Sequence, residues 1–321
     1  MTRPRLTTTV RAPMRVAVVD LGSNSTRLLV ADIQGDDIVE LERRTKVTRL
    51  GQAVEQTGVL ADEAMGRVCD TLVEYRAIID DHGVATAVGV LTSAVRDARN
   101  GDAFTQRVRD DFGLDARTIT GDEEAQLTYL GALAHGADQP TVVIDIGGGS
   151  TEFVVGHGDR VSFHVSTQAG VVRHTERHIA HDPPTPAELE ALARDVRALF
   201  APVRATAEAA IAVAGTPLSL AAIDRDLECH ESNLVHGAEL SVTACRRILA
   251  QLQTLPEAER RQVRGLLPDR APTIIAGAVM LLEALAAFGL DRAAVSDRDI
   301  LHGAALKAVR RARAEGPAQA R

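Results

Sequence analysis

Near the start of the chain the apolar positions fall into two bursts separated by a polar turn. Val16-Ala17-Val18-Val19 runs into Asp20-Leu21-Gly22-Ser23-Asn24-Ser25, and the apolar run resumes at Leu28-Leu29-Val30. β-Branched residues on both sides of a Gly/Ser/Asn cluster predict strand, tight loop, strand. The pattern returns once, at Val142-Val143-Ile144-Asp145-Ile146-Gly147-Gly148-Gly149-Ser150-Thr151-Glu152-Phe153-Val154-Val155. The two stretches superimpose without a gap. Asp20 falls on Asp145, Gly22 on Gly147, Ser25 on Ser150, Thr26 on Thr151 and Val30 on Val155.

The remaining periodicities fill in two similar halves. After the first hairpin, 38–44 predicts a third strand. A helical stripe at Met65, Val68, Cys69, Leu72, the Arg76 stem and Ile79 predicts a helix ended by Gly83. Strand 85–91, helix 102–112 and strand 116–119 follow, then a loop at 120–125 that enters a helix. After the second hairpin, 161–165 predicts a third strand and 173–179 a helix. Thr185-Pro186-Ala187-Glu188 is a capping-box sequence with proline at the first helical position. Strand 211–214 ends in Gly215-Thr216-Pro217, and 241–310 is mainly helical with a short strand near Ala294. The expected join lies at 120–130, with one domain at 14–126 plus about 299–313 and the other at 127–298.

Composition narrows what such a chain can do. Its 321 residues suit two domains, and 45% hydrophobic with 25% charged residues is globular. Only 2% are aromatic and the net charge is −8, which argues against base stacking and against wrapping nucleic acid. The three cysteines, Cys69, Cys229 and Cys245, form no CxxC pair, as expected of buried thiols in a reducing compartment. Residues 1–13, with Arg3, Arg5 and Arg11, lack the apolar core of a signal peptide, and Met14 is an alternative start. The apolar run 274–290 is short for a membrane span and contains Glu283, so it is expected to be a core or dimer helix. A cytoplasmic location is expected.

The loops carry the chemistry. Only glycine lets successive backbone N–H groups come close enough to cradle an anion, and Gly147-Gly148-Gly149-Ser150 supplies this most clearly. Asp20 and Asp145 each end a strand just before a loop. Two carboxylates in apposition across a cleft between the halves could hold Mg²⁺, which typically takes one or two carboxylates plus phosphate oxygens. His174, His178 and His181 fall on one predicted helical face, a spacing that could bind zinc, but no Glu follows the first His as in HExxH and no carboxylate partner is evident in the sequence. They are expected to be neutral imidazoles on a polar face, and Cys229-His230 to be incidental.

The pair DLGSNS and DIGGGSTE resembles the phosphate loops of the actin-like ATPase and sugar-kinase superfamily. Further segments are similar to one family within it, the exopolyphosphatase / guanosine pentaphosphate phosphohydrolase family. They are Thr92-Ser93-Ala94-Val95-Arg96-Asp97-Ala98, Gly121-Asp122-Glu123-Glu124-Ala125, Ala214-Gly215-Thr216 and Ser296-Asp297-Arg298-Asp299-Ile300-Leu301-His302-Gly303. They stand in family order across residues 14–310. The resemblance implies an α/β protein of two actin-like (ribonuclease H-like) domains with an interdomain cleft.

It also implies roles. Glu124 matches the family's catalytic carboxylate, a general base on the attacking water. Its neighbour Glu123 is the rival, unless it only offsets the helix dipole. Gly22, Ser23, Asn24, Ser25, Arg96, Gly147, Gly148, Gly149 and Ser150 match phosphate-binding positions. Asp145 and Glu152 match metal-site carboxylates, and Asp20 the first-loop acid, with Mg²⁺ or another divalent cation as cofactor. Lys46 and Arg49, in the loop after the third strand, and Arg27 are candidates for gripping a polyanion. The implied activity is hydrolysis of terminal phosphoanhydrides of inorganic polyphosphate, by a homodimer without nucleic-acid or membrane partners. The alternatives are a guanosine pentaphosphate phosphohydrolase, a non-catalytic polyphosphate or alarmone sensor, and a kinase. Two departures from the family stand out. Thr26-Arg27 puts an extra cation by the first loop, and the chain ends without the helical extension of longer members, so that shorter polyphosphate chains or a different phosphate ester are expected.

Overall fold

The computed structural model describes residues 12–133, 137–228 and 232–315. The cationic leader with Arg3, Arg5 and Arg11, and the Cys229-His230 pair, lie outside the described residues. The chain divides into two compact units, one up to Glu124 and from Ala304 onward, the other Ala125–Gly303.

In the first unit, β1 (Met14–Leu21), β2 (Ser25–Gln34) and β3 (Asp37–Val47) form an antiparallel meander. Strands β4 (Thr86–Leu91) and β5 (Asp115–Thr118) extend the sheet parallel to β1, in the order β3-β2-β1-β4-β5. β1 is the middle strand, which explains its unbroken apolar run: Val16, Ala17, Val18 and Val19 are all fully buried. β3 runs longer than the 38–44 expected. It is an edge strand whose charged residues keep it in water. The helices are α1 (Val54–Thr57), α2 (Asp62–Asp81), α3 (Ser93–Asp97), α4 (Gly101–Phe112) and α5 (Gly121–Ala132), the last crossing the division. α2 differs from its predicted stripe. It buries Ala64, Val68, Leu72, Tyr75 and Ile79, while Arg76 turns out to Asp80. Tyr75 displaces the arginine stem because its ring fills the core and its hydroxyl still donates to the Thr26 carbonyl at 3.0 Å.

The second unit repeats the plan. Strands β6 (Thr141–Ile146), β7 (Thr151–His157) and β8 (Arg160–Thr167) form the meander, and β9 (Ala209–Val213) runs parallel to β6. Strands β10 (Glu239–Ser241) and β11 (Arg292–Val295) complete the order β10-β11-β9-β6-β7-β8. Three-residue β10 has no periodicity to announce it. Pairing with β11 creates it. Around this sheet lie α6 (Val171–His178), α7 (Pro186–Phe200), α8 (Gly215–Asp224), α9 (Ser232–Val235), α10 (Val242–Leu252), α11 (Glu257–Arg260) and α12 (Ile274–Phe288). Helix α13 (Ile300–Glu315) then returns the chain to the first unit. Thr185 and Glu188 make the expected reciprocal capping box at the start of α7. α12 is core: Ile274, Ala278, Leu281 and Leu285 are buried against the sheet side of the unit. Among the described residues no helix is long and apolar enough to cross a membrane. Both sheets therefore carry the actin-like, ribonuclease H-like arrangement, a meander whose first strand is extended by parallel neighbours.

The three histidines do not share a polar face. His174 is fully buried, and α6 stops at His178. His181 lies beyond the helix with its Nδ1 2.8 Å from Glu188. The carboxylate partner not evident in the sequence is Asp195, supplied by α7.

Candidate functional site

The two glycine loops close in the same way. The Gly22 N–H donates to the Ser25 carbonyl at 3.0 Å and the Gly147 N–H to the Ser150 carbonyl at 2.9 Å. A Cβ at either glycine would sit 3.1 Å or 3.2 Å from that carbonyl oxygen, so a small residue is needed where the strand turns. The register is also the same: Asp20 stands opposite Arg27 on β1 and β2, and Asp145 opposite Glu152 on β6 and β7.

The first loop is held from the β3 side. The Asn24 carbonyl accepts from the N–H groups of Thr48 and Arg49, and the Ser23 carbonyl from Gly51 at 2.7 Å. Arg49 enters the left-handed region, φ +50°, to make this turn. Its backbone thus braces the loop while its side chain is exposed. Lys46 pairs with Glu74 of α2. Asp20 is 3% exposed, and its Oδ2 accepts from Arg27 Nε at 2.8 Å and Nη2 at 2.6 Å. The expected metal-site acid and polyanion-gripping cation thus engage each other in this structure.

Because β1 and β4 run parallel with Leu21 beside Leu91, the residues after β4 arrive at the first loop. The hydroxyls of Ser23 and Ser93 lie 2.9 Å apart. Sequence reading placed Ser93 in a family segment but gave it no role. The one cue is its position at the carboxyl end of a strand, where open α/β sheets place ligands. One turn on, Arg96 Nη1 donates to the Ile119 carbonyl at 2.9 Å and to Glu124 Oε2 at 3.2 Å. Its Nε also lies 3.8 Å from Asp97.

The neighbouring acids of α5 separate cleanly. Thr120 accepts from the Glu123 N–H at 3.1 Å, and Glu123 Oε2 accepts from the Thr120 N–H at 3.3 Å, a reciprocal capping box. Arg117 Nη1 donates to Glu123 Oε1 at 2.6 Å, and this bond holds its carboxyl below the usual range. Glu123 is therefore a helix-starting acid. Glu124 keeps a third of its side chain exposed, beside Arg96.

In the second loop, Glu152 Oε1 accepts from Ser150 Oγ at 2.6 Å and Ser166 Oγ at 2.7 Å. Burial raises its pKa, and the two hydroxyl bonds oppose that shift. Ser166 on β8 is a second residue the sequence did not single out. The carbonyls of Gly147 and Gly148 accept from the N–H groups of Val171, Val172 and Arg173 at the start of α6, and Arg173 Nε reaches the Gly149 carbonyl at 3.2 Å. No backbone carbonyl among the described residues accepts from the N–H groups of Gly148, Gly149 or Ser150, as an anion cradle requires. Gly170 is essential to the support, because a Cβ there would lie 2.2 Å from the Gly149 carbonyl carbon.

Next to Asp145 in register is Val213, so the turn Ala214-Gly215 sits at the same sheet end. Ala214 takes φ +71°, and the Arg270 guanidinium packs directly on Gly215, where a Cβ would have to displace it. Burial lowers the Arg270 pKa. This cation comes from a turn with no motif around it.

Known proteins resemble this chain along most of its length. A family model for the Ppx/GppA phosphatase family matches residues 29–312. The exopolyphosphatase 2 of Mycobacterium tuberculosis is 35% identical over 317 residues, covering 91% of this chain and 98% of the relative. The crystal structure of the Aquifex aeolicus Ppx/GppA family member is 31% identical with a TM-score of 0.83, covering 93% of this chain and 98% of that one. An exopolyphosphatase structure from Cytophaga hutchinsonii is 26% identical with a TM-score of 0.74, covering 92% and 98%. With the family model matching residues 29–312 and near end-to-end similarity to its relatives, the chain belongs to the Ppx/GppA phosphatase family.

Proposed function

We propose that this phosphatase hydrolyses the terminal phosphoanhydride of inorganic polyphosphate and releases orthophosphate. The observation that carries the reading is the division of labour at the start of α5. Glu123 is committed to the capping box and to Arg117, whereas Glu124, equally part-exposed, has Arg96 Nη1 at 3.2 Å. A carboxylate beside a guanidinium suits water attack on phosphorus. Glu124 accepts the water's proton, and Arg96 donates to phosphoryl oxygens. Phosphoryl transfer asks little more than an aligned nucleophile and charge stabilisation. In the first unit the hydroxyls of Ser23 and Ser93 are further donors for phosphate oxygens; in the second unit the N–H groups of Gly148, Gly149 and Ser150 are donors of the same kind. Relatives named as exopolyphosphatases support the substrate class.

A divalent cation fits the second unit. Asp145 and Glu152 project from the same face of β6 and β7 as direct cross-strand neighbours, where two carboxylates repel. These two acids would hold Mg²⁺, and the ion would offset phosphate charge during the reaction. Asp20 is the corresponding acid of the first loop, already neutralised by Arg27. The deciding experiment is orthophosphate release from short polyphosphate, long polyphosphate and guanosine pentaphosphate, with and without Mg²⁺. Magnesium-dependent release from polyphosphate at a higher kcat/KM than from guanosine pentaphosphate supports the proposal. A reversed preference makes the chain a guanosine pentaphosphate phosphohydrolase, and no release from any of the three leaves only a binding role.

A further inference from the structure

We propose that His174, His178 and Asp195 form a binding site for a late first-row divalent metal, zinc above all, that ties α6 to α7. The two histidines stand one turn apart on α6, with ring centroids 5.8 Å apart. Asp195 Oδ2 on α7 lies 2.8 Å from His178 Nε2 and 3.5 Å from His174 Nε2. One ligand atom from each residue falls within 4.8 Å of the other two. A tetrahedral ion bound at about 2.0–2.1 Å sets its ligand atoms roughly 3.3 Å apart. The two separations at Asp195 bracket that spacing.

A second observation is the state of His174. Its side chain is fully buried, yet Nε2 makes no hydrogen bond. Nδ1 lies 3.2 Å from the Gly170 carbonyl, nearer than the 3.4 Å to the Gly170 N–H. An imidazole that donates Nδ1–H to a carbonyl turns the Nε2 lone pair outward, the posture of a metal-ligating histidine. That lone pair faces an anionic oxygen, an arrangement that calls for a cation between them.

Arg177 Nη1 also contacts Asp195 Oδ2, at 3.1 Å. Its side chain is half exposed and can swing into solvent when an ion takes that oxygen. Two imidazoles and one carboxylate favour zinc and its neighbours over magnesium. The partial exposure of His178 and Asp195 leaves room for a water as fourth ligand. The site's consequence follows from what α6 does: its first N–H groups hold the carbonyls of Gly147 and Gly148. An ion joining α6 to α7 stiffens the support of the second phosphate loop.

The test uses the full chain stripped with chelator, then titrated with Zn²⁺ by calorimetry and with Co²⁺ by visible absorption, alongside thermal unfolding. Wild type is expected to take up one ion per chain and to gain Tm on adding Zn²⁺. H178Q and D195N replace part-exposed groups and should fold. Each should lose at least about tenfold in affinity, together with the Tm gain, whereas H181Q should match wild type. No saturable uptake by wild type, or uptake unchanged in both H178Q and D195N, overturns the site.

Discussion

Asp145 and Glu152 face each other directly across β6 and β7, whereas the equivalent register in the first unit pairs Asp20 with Arg27. One hairpin thus balances its acid internally, and the other leaves two acids side by side. On the proposed reading this asymmetry favours a cation at the second loop, and the buried Glu152 carboxylate carries a cost in stability.

That cost depends on pH. Burial raises the Glu152 pKa above its ordinary 4.5, so the folded chain holds this proton more tightly than the unfolded chain does. Between those two values the folded state binds more protons, and stability falls as pH rises through the window. E152Q should therefore unfold at a higher temperature than wild type at pH 8 without divalent ions, and the difference should shrink toward pH 4. Adding Mg²⁺ should raise the wild-type Tm more than that of the variant, by mass action on the folded state. Thermal unfolding across pH, with and without Mg²⁺, checks both; an E152Q variant less stable than wild type at pH 8 would count against a destabilising buried charge at Glu152.

Glu123 and Glu124 should give opposite phenotypes. E124Q is expected to fold normally, losing at most about 1 kcal/mol because its ion pair is part-exposed. Its turnover should drop by about 10²–10⁴-fold, the usual contribution of a positioned base. E123Q should lose about 0.5–2 kcal/mol by weakening the helix cap while keeping most of its kcat. Denaturant unfolding and phosphate release on the two variants decide the matter, and interchanged results would move the base to Glu123.

Arg27 offers a choice between two roles. As the partner of buried Asp20, its removal in R27M should destabilise by roughly 2–3 kcal/mol, because a buried carboxylate loses its neutralising cation. Most of that loss should return in the double variant D20N/R27M. If instead R27M keeps its Tm and raises KM for polyphosphate, the arginine grips substrate, as its position in the sequence suggested.

Local pattern made the hairpins legible. Strands declare themselves through apolar runs and turn residues a few positions apart, so both loops, the start of α7 and the Glu124 segment were visible before any coordinates. Even the contrast between Arg27 and Glu152 lay in the echo, since both fall at the same place in the aligned stretches. The α2 stripe shows where this fails. A helical period alone cannot tell Tyr75 from Arg76 as the buried position, because the choice depends on what the opposing sheet offers.

The two-fold repeat of the meander and the residue types at each loop are written in the chain as short-range spacing, and the order of the family segments along it pointed to the family. Which residues meet depends on how the elements pack. Ser93 reaches Ser23 only because β4 lies parallel to β1, and Asp195 reaches His178 only because α7 packs on α6. Such contacts span 70 and 17 positions and follow from sheet order and helix packing. No local periodicity encodes them.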